Sequence, residues 1–318
     1  MEGFRRRDSI KSVLKKIRQD YVLYIFIGIL ILWYIIFAYM PMGGLLLAFK
    51  EYDPALGIMG SDFIGASKFN DLMFKAYESQ FWRAFRNTFS ISIYNLVFGF
   101  PFPIILAILF SEIGNNVYRK VVQTISYLPH FISEVTITGL IIFLVYKSTT
   151  STGVIANMLY ALNLIPSDVK ILDTPDYFRP LYIITGLWKE SGYSSIVYFA
   201  AIMGISPVMY EALKVDGGSK MQEIRYVTLP SIAPMITVML IMRIGRMLNV
   251  GYERIILLYN SKTYETADVI SSFVYRMGVE NGNTSLGTAS GIFNAVLGFV
   301  LVIGANAIGR KVSNTSLW

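Results

Sequence analysis

Few residues in this sequence could do covalent chemistry, and their scarcity narrows the possibilities at once. There is one histidine, His130, and no cysteine, which excludes clustered-imidazole and thiolate metal sites and a disulfide framework. Gly217-Gly218-Ser219-Lys220 resembles part of a phosphate-cradling loop. The upstream glycine is missing at the spacing such a loop requires, and no strand-like run precedes it, so the chain holds no nucleotide by that device. What remains is a set of charges lodged in apolar sequence: Lys189 and Glu190 beside Trp188, and Arg243 and Arg246. Ionisable groups in such surroundings are costly and usually face a bundle interior or an aqueous path. With Tyr193, Asn249 and Tyr252 they would offer aromatic faces and polar groups to a passing solute. The other reading is a Lys189–Glu190 pair that stabilises packing, with arginines that snorkel to an interface.

The elements that position these residues follow from composition. The 318 residues are 54% hydrophobic and 15% charged, where an ordinary soluble domain carries about a quarter charged residues. Mean hydropathy is +0.52. These values fit a multispanning membrane protein. A membrane-crossing helix needs about 20 apolar residues, and six segments qualify: 21–40, 89–110, 134–146 with a lead-in at 126–133, 181–204, 229–248 and 290–308. Pro129 and Glu134 interrupt the third. The first is too long for the apolar core of a signal peptide and no small-residue cleavage site follows it, so it reads as a retained span. The expected fold is an all-α membrane protein of six transmembrane helices, divided into a basic segment at 1–20 and a membrane domain at 21–318.

Six spans put both termini on one side, and basic residues select which. Arg5, Arg6, Arg7, Lys11, Lys15, Lys16 and Arg18 precede the first span; Arg119 and Lys120 fall in the second connection; Lys214, Lys220 and Arg225 fall in the fourth; Arg310 and Lys311 fall in the tail. Both termini are therefore expected in the cytoplasm. The net charge of +7 reads as this topology signal, not as a nucleic-acid footprint. The segment at 3–20 is either an anchor on anionic lipid or a contact with a partner. His130 reads as an interfacial structural residue with no evident partner. Gly287 and Gly291 match small-residue helix packing.

The fourth connection is unusually structured for a loop. Ser206 is a good N-cap and Pro207 a good first helical residue. A short helix is expected to about Asp216, closed by a left-handed glycine at 217 or 218. Ser219 and Gln222 have the spacing of a capping box for a second short helix, which Val227-Thr228-Leu229-Pro230 ends. The expectation is a cytoplasmic helix–turn–helix over 206–228, small at Ala212, Gly217 and Gly218, where another protein could approach closely.

The spacing Glu211, Ala212, Gly217, Val227, Leu229, Pro230 resembles the EAA motif of the membrane permeases of binding-protein-dependent ABC importers. Two positions depart from it: Leu213, where the family usually has alanine, and Gly218, where related sugar permeases often have alanine. The likeness extends through YMPMGGLLLAFKEYDP (39–54), ISYLPHFISEV (125–135), GLWKESGYSSIVYFAAIMGISP (186–207), NVGYERIILLYN (249–260) and ADVISSFVYRMG (267–278), which resemble LplB-type oligo- and polysaccharide permeases of the bacterial inner membrane. The resemblance implies that Glu211 pairs with a basic group on a separate ATPase, that Gly217 shapes the turn, and that Ala212, Gly218, Leu229 and Pro230 belong to the same docking element. It implies partners: a second homologous permease, two ATPase subunits carrying ATP and Mg, and an extracellular solute-binding protein docking near 41–84, 147–180 and 249–288. No cofactor is expected on this chain. Arginines at 243 and 246, if they face a sugar path, would favour uronates. An ion-coupled secondary sugar transporter is the alternative, but it calls for an acid–base relay and often inverted repeats, and neither is evident. A membrane enzyme would need a metal or nucleophile cluster.

Overall fold

The computed structural model describes residues 19–313; the basic segment expected at 1–20 lies, but for its last two residues, outside them. The first span begins with α1 (Tyr21–Tyr34), which is apolar on every side and buries no residue within the chain. It runs through a wide π turn at Ile35–Tyr39 into a tighter 3-10 stretch at Met40–Phe49 that opens with Pro41. Proline has no N–H to donate, so the helical bond pattern changes there. A two-residue antiparallel pair follows, β1 (Lys50–Glu51) and β2 (Asp62–Phe63), with Lys50 opposite Phe63, then α2 (Ser67–Phe74).

The second span is longer than the expected 89–110. It comprises α3 (Glu78–Val97) and α4 (Pro101–Glu112). Hydropathy misses the first half of α3 because that half is polar, yet Asn87 and Thr88 are fully buried with their hydrogen bonds satisfied by other segments. The third span is broken outright. α5 (Asn116–Tyr127) and a 3-10 turn at Leu128–Phe131 meet α6 (Glu134–Val145) at a bend of 100°. The backbone stays helical through Leu128 and turns extended at Ile132, with φ −82° and ψ 137°, and Ser133 restarts the helix by accepting a hydrogen bond from the Thr136 N–H.

α7 (Val154–Ala161) lies in the next connection. The fourth span, α8 (Pro175–Met203), bends by 69° into α9 (Pro207–Val215). The second helix of the EAA region does not end at 227–230 as the sequence suggests. α10 (Lys220–Gln222) continues through a π turn at Glu223–Thr228 into α11 (Leu229–Gly245), one helical run of 26 residues. The widened turn accommodates Pro230, whose ring would otherwise crowd the carbonyl four residues earlier. α12 (Tyr252–Leu258), α13 (Tyr264–Ala267) and α14 (Ile270–Tyr275) precede α15 (Thr284–Ser313), the sixth span. By length and composition four helices can cross a membrane, or six if each bent pair is one span.

Close approaches hold the bundle together. A Cβ at Gly192 of α8 would collide with the Ser126 carbonyl of α5, and one at Gly245 of α11 would lie 2.7 Å from a Val302 methyl of α15. Ala107 and Ile104 of α4, Tyr198 and Ile202 of α8 and Ile232 of α11 form one core. At the end opposite α9, Asp268 is fully buried. Arg276 reaches it with two bonds of 2.9 and 2.7 Å, and Arg83 stands 3.5 Å away. Beside it Asn87 donates to the carbonyls of Glu265 and Asp268 and accepts from Arg179 at 2.9 Å. This hub joins α3, α8 and the segment before α15. In the same region Asp173 pairs with Lys262 at 2.9 Å, and the hydrogen bond from that ammonium holds its carboxyl below the usual range.

Candidate coupling surface and central cavity

The EAA region forms an exposed knob. Glu211, Ala212 and Gly217 are exposed and Gly218 is half-buried. Gly217 has φ +77°, the left-handed conformation that closes helices and favours glycine. The Gly218 N–H donates to the Leu213 carbonyl at 2.9 Å and the Gly217 N–H to that of Lys214 at 3.0 Å, the bond pair of a Schellman closure. Across the turn, Gln222 Oε1 accepts from the Ser219 N–H at 2.7 Å.

The two departures from the EAA pattern meet here. A Cβ at Gly218 would sit 2.5 Å from Leu213 Cγ, so the leucine fills the room that alanine at 218 would take. Gly218→Ala alone should therefore destabilise the turn by about 1–3 kcal/mol, the range for overpacking. Adding Leu213→Ala should recover part of that loss. A double-mutant cycle on complex stability measures the coupling, and strict additivity would show that the two positions are independent.

The knob is braced against α4. Glu223 is only 3% exposed and receives Lys220 at 2.9 Å, with Lys214 at 3.8 Å. Lys220 also reaches Glu112, the last residue of α4, at 2.9 Å. The buried carboxylate thus keeps cationic partners, as its burial requires. Leu229 packs against the core of α4 and α8, while Pro230 is exposed.

A cavity of about 550 Å³ lies among α3, α4, α8 and α11 and the start of α12. Of the charged and aromatic residues singled out in the sequence, Glu190, Tyr193, Arg243, Arg246 and Asn249 line it. Trp188, Lys189 and Tyr252 do not. Trp188 is exposed away from it, and Lys189 is 8% exposed and bonded to Glu134 at 2.9 Å and Glu190 at 3.2 Å. Tyr252 lines a neighbouring cavity of about 350 Å³ with Glu134, Tyr182 and Arg254, and its ring stacks on Tyr275 at 5.9 Å.

Two features escape the sequence. Arg254 lines both cavities and pairs with Glu134, which hydropathy registers only as an interruption of the third span. His130 is not an unpartnered interfacial residue. Its Nδ1 lies 2.9 Å from Glu190 Oε2, and its ring stacks on Tyr193 at 3.9 Å, against the middle of α8. The 3-10 turn at Leu128–Phe131 carries it there. Among the described residues no three His, Cys, Asp or Glu side chains gather into a metal site.

Comparison with known proteins agrees with this architecture. The chain is 37% identical over 307 residues to Protein LplB of Bacillus subtilis (strain 168), covering 96% of this chain and 94% of that one. It is 35% identical over 313 residues to the polygalacturonan/rhamnogalacturonan transport system permease protein YteP of the same organism, covering 98% and 95%. Its structure is similar to a chain of a bacterial ABC transporter involved in the import of the acidic polysaccharide alginate, with TM-score 0.85, 46% identity, and 95% of this chain and 99% of that one covered. The family model of the binding-protein-dependent transport system inner membrane component matches residues 99–314, spanning most of the cavity lining, the EAA knob and the last four spans, and the chain belongs to that family of non-catalytic ABC importer permeases.

Proposed function

We propose that this chain moves oligosaccharides or polysaccharides, uronate-containing ones among them, into the cytoplasm as one permease subunit of an ATP-driven importer. The observation that carries this reading is the exposed, glycine-closed knob at 206–228 on a chain with no phosphate loop of its own. Such a chain receives work from another polypeptide, and the knob is the surface built to receive it. In this reading Glu211 and Ala212, with the turn at Gly217 and Gly218, dock on the ATPase, while Leu229 and Pro230 pass the motion into α11. ATP and Mg reside on two ATPase subunits, and this chain binds no cofactor. A second, homologous permease completes the membrane part. Both termini and the knob face the cytoplasm, with 1–20 as a basic cytoplasmic segment and 21–318 as the transport domain. A solute-binding protein docks on the opposite face; one solved relative is an alginate ABC transporter in complex with an alginate pentasaccharide-bound periplasmic protein.

The larger cavity is the sugar path. Tyr193 offers a ring face, Asn249 hydrogen bonds, and Arg243 and Arg246 a positive field over a single carboxylate, Glu190. Trp188, Lys189 and Tyr252 act around it, Lys189 by holding Glu190. A charge-assisted hydrogen bond contributes about 1.5–3 kcal/mol, so Arg243→Ala or Arg246→Ala should lower uronate-oligosaccharide uptake about tenfold more than that of a neutral oligosaccharide. Equal losses for both sugars would remove charge from the account. The importer reading is tested by co-purification: a soluble ATPase should accompany the chain out of detergent extracts, whereas full uptake by this chain alone in ATP-free vesicles would refute it.

A further inference from the structure

We infer that the Glu134–Arg254 pair is a switchable partition between two chambers of one solute path, and that its opening is a step of transport. The inference rests on reading the larger cavity as that path. The larger and smaller cavities share three lining residues, Tyr182, Gly251 and Arg254. Arg254 is thus the wall between them, held across the gap by Glu134 at the start of α6. Its guanidinium also lies 5.1 Å from the Tyr182 ring centroid, and its Nη1 donates to the Tyr182 carbonyl at 3.5 Å. A Cβ at Gly186 would stand 2.9 Å from that same nitrogen, so the missing side chain at 186 is what leaves the guanidinium its room. The smaller chamber presents its own sugar-compatible surface, the Tyr252 ring backed by Tyr275.

An ion pair with side chains only 11% and 16% exposed resists opening, because each partner is left as a poorly compensated charge. Here the pair sits at the end of a chain in which most members hold two partners. Glu134 has Arg254 and Lys189, Lys189 has Glu134 and Glu190, and Glu190 has Lys189 and His130. When Arg254 departs, Glu134 keeps Lys189 at 2.9 Å. Arg254 keeps the Tyr182 ring and turns toward a chamber that, on the reading above, carries hydroxyl and carboxylate acceptors. The link can therefore open without stranding a charge, as a two-state element requires. Glu134 opens α6 in the broken third span and Arg254 lies in α12, two helices that pack against each other, so opening the link changes a contact between packed elements.

The test uses the complete reconstituted importer, with wild type, Glu134→Gln and Arg254→Gln compared for ATPase rate without sugar or binding protein. A link that holds one conformation biases against the other, and weakening it shifts the population. Substrate-free ATPase should rise about fivefold in both variants, the lower end of ordinary coupling between sites. Misassembly lowers ATPase and cannot imitate this result. A rise in neither variant overturns the inference. The path reading is judged separately by sugar uptake in Arg243→Ala. Intact uptake there dismisses the path, while impaired uptake together with unchanged basal ATPase at 134 and 254 dismisses only the partition.

Discussion

Gly217→Val and Glu211→Lys should each abolish association with the ATPase while leaving the chain inserted in the membrane. The two substitutions act by different routes. Gly217 has φ +77°, and an L-residue pays roughly 1–2 kcal/mol to adopt left-handed backbone, with a β-branched side chain worse still. The turn would relax by giving up the Gly218-to-Leu213 and Gly217-to-Lys214 bonds of 2.9 and 3.0 Å, so α9 would no longer meet α10 at its present angle. Glu211 is exposed and makes no ion pair among the described residues, so reversing its charge should cost this chain's own fold little. If it pairs with a basic group in the ATPase cleft, reversal replaces attraction with repulsion. Truncating one partner of a desolvated interfacial charge pair costs about 2–5 kcal/mol, which is at least about 30-fold in affinity. Pull-down of the soluble ATPase on the detergent-extracted permease measures it, with sugar uptake in parallel. Retained association in both variants would show that the knob is not the docking surface.

What is legible in the sequence depends on whether a signal is local. The turn at 206–222 was legible because capping chemistry and a glycine C-cap are short-range: Ser206, Pro207, Gly217 and the Ser219–Gln222 spacing act within a few residues of themselves. Its far end was not, since Pro230 reads locally as a helix start, while the structure widens the preceding turn and lets the helix run on. The apolar spans were legible where hydropathy alone buries them. The first half of α3 was hidden because Asn87 and Thr88 are buried by bonds to residues 178 to 182 positions away. The same limit applies to the cavity. Arg243 and Arg246 stand out as charges at the end of an apolar run, but Arg254 and Glu134 acquire meaning only as a pair 120 residues apart. His130 reads as unpartnered in the sequence for the same reason, its partner Glu190 lying on another span.

Asp268→Asn should be the most damaging single substitution to stability, because Asp268 neutralises a cluster that nothing else can. The carboxylate is fully buried and answers Arg276, which is 13% exposed, and Arg83, 31% exposed. Burial disfavours the Arg276 cation, yet the hydrogen bonds and attraction of Asp268 outweigh it and raise its pKa. Asparagine keeps the volume and a hydrogen-bond acceptor but removes the charge, leaving Arg276 confined against Phe273 and Tyr264 without an anion. Stranding one member of a buried pair costs about 3–5 kcal/mol, to be read as a large fall in Tm of the detergent-solubilised complex. Removing both charges is a different perturbation: Asp268→Asn with Arg276→Met should recover a good part of the loss, since hydrophobic replacements of buried pairs are often tolerated. If the double variant is no better than Asp268→Asn alone, the cost lies with Arg83, which also loses its anion, and not with Arg276. The functional consequence follows from position. Through Asn87 and Arg179 this hub fixes α3 against α8, two of the walls of the larger cavity, so a variant that survives should bind and release sugar from a less defined path.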